Sequence, residues 1–108
     1  MATSYKVLGQ SAPSATTATD VYTVPAATET VISTVIIANR AAAGTFRLSV
    51  RPNGGTQTDA MYCAYDVPVA TNDSTTLTLG LTLDATDVIT VYCSSADMSI
   101  NIFGTEIS

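Results

Sequence analysis

The chain has 108 residues, with four Lys and Arg against nine Asp and Glu, no His, no Trp and a formal net charge of −5. This length suits one domain with one core, and the charged fraction of 12% is about half the usual ~25%. The composition excludes chemistry built on imidazole. The lack of any Lys or Arg after Arg51 excludes the clustered cations that displace counterions from a nucleic acid.

The opening Met1-Ala2-Thr3-Ser4-Tyr5-Lys6 has no basic stretch leading into an apolar one, so it does not read as a signal peptide. Ser4 to Gly9 is the first strand candidate, and Ser11 to Ala18 is small, polar and loop-like. Residues 1–18 also read as an extended N-terminal arm that lies along a neighbour, with Tyr5 and Lys6 as contacts. Val21 to Val24 is the second strand, ended by Pro25, which cannot donate to a ladder. In the third, Thr30 to Asn39, the run Val31 to Ala38 is apolar on both faces. That suits a central strand covered on both sides, on one of them by a subunit interface.

Thr45 to Arg51 alternates Phe46, Leu48 and Val50 with Arg47, Ser49 and Arg51, and a period of two sends these sets to opposite faces. Arg47 and Arg51 then share a face, either solvated or set against an acidic partner. Pro52-Asn53-Gly54-Gly55 is a turn with no following Lys or helix to make it a phosphate loop. Met61 to Asp66, Thr75 to Leu83, Val88 to Cys93 and Met98 to Phe103 complete eight strands. Between them lie polar turns whose Asp side chains bond the local backbone. Turn signals every eight to twelve residues predict an all-β antiparallel sandwich of about eight strands with Greek-key or jelly-roll connections. Its expected core is Val35, Ile37, Phe46, Leu48, Val50, Leu77, Leu79, Val91, Ile100 and Ile102. No domain boundary or repeat interrupts residues 1–108, and no apolar run is long enough to span a membrane.

Without His, a nucleophilic Ser or Cys would have only Lys6 as a base by residue type. Asp84 and Asp87 flank a turn and are expected to project into water. That suits a turn better than a carboxylate pair or a calcium site. Cys63 and Cys93 lie outside any Cys-x-x-Cys spacing and read as two small buried or half-buried thiols, with a disulfide the alternative if their strands are neighbours, which a cytoplasmic origin disfavours. The reading therefore nominates no catalytic residue, no cofactor and no metal ligand. Scattered Tyr on strands reads as core edge, since no Trp completes a sugar-stacking patch.

Several blocks carry a resemblance. They are Ala2-Thr3-Ser4-Tyr5-Lys6-Val7-Leu8-Gly9-Gln10, Tyr22-Thr23-Val24-Pro25-Ala26, Arg51-Pro52-Asn53-Gly54, Ala64-Tyr65-Asp66, the run Leu77 to Leu83 followed by Asp87 to Tyr92, and Phe103-Gly104-Thr105-Glu106-Ile107. Together they resemble small structural proteins of tailed bacteriophages, especially cyanophage-like head cement or decoration proteins. The resemblance implies a non-enzymatic virion component, made in the host bacterial cytoplasm, whose partner is the major capsid protein or another virion protein. A homo-oligomer, dimer or trimer, is expected, with no nucleic acid and no membrane as partner. A tail, fibre or accessory virion component and a carbohydrate- or receptor-binding module are the alternatives. The residues expected at the protein interface are Tyr5, Lys6, Arg47 and Arg51.

Overall fold

A computed structural model of the chain describes residues 2–108. The alternating segments become nine strands: β1 Thr3–Ser11, β2 Thr19–Thr23, β3 Glu29–Asn39, β4 Gly44–Arg51, β5 Tyr62–Val69, β6 Ser74–Leu77, β7 Thr82–Leu83, β8 Val88–Cys93 and β9 Met98–Ile107. They form two sheets of antiparallel strands packed as a sandwich. The first has the order β1-β9-β3-β6, with β7 also on β3, and the second the order β2-β8-β4-β5.

The expected single strand from Thr75 to Leu83 is instead two short ones. Gly80, at a φ of +64°, interrupts the run, and β6 and β7 each pair with β3 on either side of the break. Counted as one interrupted strand, β6 and β7 leave eight strands in all. Every connection between consecutive strands then crosses from one sheet to the other except β4 to β5. That is a jelly roll.

The N-terminal segment is not a free arm, and this corrects the arm reading of residues 1–18. β9 runs four residues beyond the expected Phe103; that extra length partners β1 from Thr3↔Ile107 to Lys6↔Gly104, and the expected part of β9 partners the rest as far as Ser11↔Ile100. Ala2 and Ser108 exchange two further backbone hydrogen bonds of 2.6 and 2.8 Å. Residues 12–18 remain a loop, and its Thr16 N–H donates to the Cys93 carbonyl. Met1 lies outside the described residues. β5 likewise runs past Asp66 through Pro68. It is an edge strand, where proline's missing N–H costs no ladder bond.

Between the sheets lie Ile32, Val35, Ile37, Phe46, Leu48, Ile89, Val91, Met98, Ile100 and Ile102, all essentially inaccessible. Of the expected core, Val50 and Leu77 pack only against its margin. Leu79 is 44% exposed, because it belongs to the break between β6 and β7 rather than to a strand. Tyr22, Val24, Val69, Leu83 and Cys93 also belong to the core. Gly104 is fixed by packing: a Cβ there would run into the Val31 carbonyl and lie 2.9 Å from Leu8 Cδ1.

Candidate interaction surface

Cross-strand partners share a face, so the ladder registers define the two outer faces of the sandwich. On the second sheet, Arg47 pairs with Tyr92, Ser49 with Thr90 and Arg51 with Val88, which sets both arginines on one face. Arg47 Nε donates to Asp66 Oδ1 at 2.7 Å. Its guanidinium lies 4.2 Å from the ring centre of Tyr65 and 4.6 Å from that of Tyr92. Tyr62 packs edge-on against Tyr65 at 4.9 Å. The Asp66 hydrogen bond holds the guanidinium charged well above its ordinary range. Asp66 reaches it because β5 bulges there, with Asp66 at a φ of +50°.

Arg51 ties down a turn. Its Nε donates to Thr90 Oγ1 at 3.0 Å, its Nη1 to the carbonyls of Gly54 and Gly55 at 3.0 and 2.9 Å, and its Nη2 to Asp20 Oδ1 at 2.9 Å. The segment after β4 thereby folds back over the sheet, and Ser49 Oγ donates to Gln57 Oε1 at 2.6 Å beneath it. A shallow cleft of about 40 Å³ remains among Ala18, Arg47, Gln57, Tyr62 and Tyr92, room for roughly two or three waters.

Lys6 sits at the seam where the edges of the two sheets meet. Its Nζ lies 2.6 Å from Glu106 Oε1, and the Tyr22 hydroxyl donates to Glu106 Oε2 at 2.6 Å and contacts Thr30 Oγ1 at 2.9 Å. Lys6, then Tyr22, hold the Glu106 carboxyl below its ordinary value. Burial, then the hydrogen bond to that carboxylate, pushes the Tyr22 phenol up to about 12.

The outer face of the first sheet is different in kind. Its rows are Thr3–Ile107–Glu29, Tyr5–Thr105–Val31, Val7–Phe103–Thr34 and Gln10–Asn101–Ile36. Tyr5 is 82% exposed, Val7 47% and Val31 40%. Glu29 is the single ionisable carboxylate in these rows, and it stands at one end. Thr82 and Thr76 continue the second and fourth rows onto β7 and β6. Among the described residues, Tyr5, Val7 and Val31 stay exposed on this face, whereas Ser49 and Thr90 on the other are buried under the segment after β4.

The four expected interface residues are therefore not one patch. Tyr5 belongs to the bare face, Lys6 to the seam, and Arg47 and Arg51 to the opposite face. The tyrosines around Arg47 were missed as a group because Tyr62, Tyr65 and Tyr92 come from two strands. Only the β4 pairing to β5 and β8 brings them together. Asp87 serves its turn, accepting from the Asn53 and Asp84 backbone N–H groups at 2.9 Å each. Cys93 is buried and Cys63 exposed, both free, so of the two thiols expected to be buried or half-buried, Cys63 is not. Among the described residues no group of three or more Cys, Asp or Glu gathers as a metal site, and no helix is long and apolar enough to cross a membrane. No family model, curated protein or solved structure matches this chain.

Proposed function

We propose that this chain is a non-enzymatic virion structural protein of a tailed bacteriophage, a cement or decoration protein that binds the major capsid protein and stabilises the head shell. The observation that carries the reading is the outer face of the first sheet. It is complete, uncovered, nearly free of charge and formed by apolar and hydroxyl side chains. Such a face can be covered by a neighbouring copy in an assembled shell without stripping ions of water, which leaves the opposite face for the major capsid protein. The Arg47–Tyr65 cluster on the opposite face supplies the residue types that dominate protein contacts. Held flat between two rings and braced by Asp66, Arg47 loses little side-chain entropy when a partner covers it. The jelly roll is compatible with a shell component.

The test is sedimentation of the purified chain with empty heads of the phage that encodes it. The chain should pellet with the heads and raise their melting temperature, and the double change Arg47→Ala/Tyr65→Ala should weaken pelleting at least about tenfold. A chain that stays in the supernatant at every concentration sinks the cement role. Pelleting with tails instead would favour the tail or fibre alternative. The tyrosine-lined cleft favours one further reading, a carbohydrate-binding module. A glycan-array signal lost on Tyr92→Ala would support it.

A further inference from the structure

We infer that the outer face of the β1–β9–β3 ladder is the surface through which this chain pairs with a second copy of itself. The inference deepens the reading of the chain as an assembling structural protein and rests on it.

Charge selects the face. Each copy carries −5, so two copies repel unless the contact leaves the carboxylates outside it. The second sheet cannot offer that. Asp20 and Asp66 stand on its outer face with side chains 54% and 47% exposed, each paired with an arginine, so a contact there would strip two ion pairs of water, and the segment after β4 interrupts the surface. The first sheet presents Glu29 alone, at the end of its rows. A twofold contact with the facing strands antiparallel sets the two Glu29 side chains at opposite ends. Tyr5, Val7, Val31, Ile36 and Phe103 then meet a copy of the same surface, the isologous arrangement of a cyclic dimer.

Size agrees. β3 has 11 residues, about 36 Å of strand, and the adjacent ladders with their side chains span about 20 Å. That gives about 700 Å² per copy and about 1,400 Å² in total, inside the range of stable, specific contacts. Face-to-face sheets pack about 10 Å apart, and the alternation of Tyr5, Phe103 and Ile36 with Thr34 and Thr105 provides the large and small positions such packing interleaves. The both-faces-apolar character of Val31 to Ala38 has its explanation here: one face meets the core and the other meets the second copy.

Analytical ultracentrifugation of the full chain over a concentration series tests this. The wild-type chain should sediment as a dimer at micromolar concentration. Val31→Glu and Tyr5→Glu should each weaken dimerisation at least about 100-fold, since each places two unpaired carboxylates in the contact. Tyr65→Ala, on the opposite face, should leave it unchanged. Tyr5 is so exposed that its variant tests the interface even where Val31→Glu impairs folding, and circular dichroism identifies folded variants. A wild-type monomer, a trimer, or a folded Tyr5→Glu chain that dimerises as well as wild type overturns the inference. So does a monomeric wild type whose head binding is abolished by Tyr5→Glu, which would give this face to the shell. A Tyr5-sensitive dimer that ignores phage heads leaves the pairing intact and removes the cement role instead.

Discussion

The two outer faces of this sandwich solve the same problem in opposite ways. The second sheet covers itself. Arg51 draws the Gly54–Gly55 turn onto it, Ser49 and Gln57 close the space beneath, and Arg47 lies flat between Tyr65 and Tyr92. The first sheet has none of these devices, and Tyr5, Val7 and Val31 remain exposed. Low charge alone therefore does not mark an interface. Both sheets are rich in uncharged residues. On the second sheet the exposed Tyr65 is stacked on Arg47 beside Asp66, whereas the first leaves Tyr5, Val7 and Val31 exposed with no charged group in their rows, and exposed contiguous apolar surface is what marks a contact site.

The largest effect should fall on neither face but on the core they share. Phe46 is fully buried and packs between the sheets from the middle of β4. Phe46→Ala should cost about 3–5 kcal/mol, through lost transfer energy and a residual cavity. Because one cluster joins both sheets, they should unfold in a single transition. Urea titration followed by both far-UV dichroism and tyrosine fluorescence checks this. Two separated transitions would mean that the faces belong to independently stable layers.

Much of the fold was legible because period two survives in single strands. Phe46, Leu48, Ile100 and Ile102 point inward as the alternation requires. What was not legible depends on partners distant in sequence. β1 looked like an arm because its partner is the far end of β9, about a hundred residues away. Leu79 looked like a core position because alternation continues through a segment that Gly80 breaks. The interface residues were harder still. Strand alternation places Arg47 and Arg51 on one face, yet it cannot say that Arg51 is held by the turn and Asp20 while Arg47 is braced by Asp66 and rings from two other strands. The apolar outer side of β3 was visible from sequence. Its continuation across Phe103 to Tyr5 and Val7 needed the register.

A smaller effect probes the seam that joins the two sheets. Tyr22 hydrogen-bonds the Glu106 carboxylate and contacts Thr30, and its phenol is pushed from 10.0 to about 12. A raised pKa contributes stability that is complete below the unfolded value and lost as pH rises through the folded one. Stability should therefore fall between pH 10 and about 12. Glu106 has the opposite sign. Its pKa is lowered, so its contribution is present above the ordinary value of 4.5 and disappears as pH falls through its folded value. Tyr22→Phe should flatten the alkaline loss and cost on the order of 1–2 kcal/mol at neutral pH. Thermal melts of both chains from pH 3 to 12 read these slopes. An unchanged alkaline slope in the variant would show that the seam phenol does not couple to folding.

The smallest effect uses the cysteines to address the faces separately. Cys93 is buried in the core, whereas Cys63 is exposed on β5, at the edge of the second sheet. Partial burial raises the Cys63 thiol, and deeper burial pushes that of Cys93 up to about 11, so neither is a ready thiolate at neutral pH. Access then decides reactivity. A native-state titration with a thiol reagent should show one residue reacting in minutes and the second only as fast as the core opens. A bulky adduct at Cys63 lies on β5, outside the β1–β9–β3 ladder. It should therefore leave pairing of the first-sheet faces intact while impeding any partner that covers Arg47 and Tyr65. If the Cys63 adduct instead dissolves the dimer and spares head binding, the two faces have exchanged roles. Self-association would then belong to the braced arginine and its tyrosines, and the bare sheet to the shell.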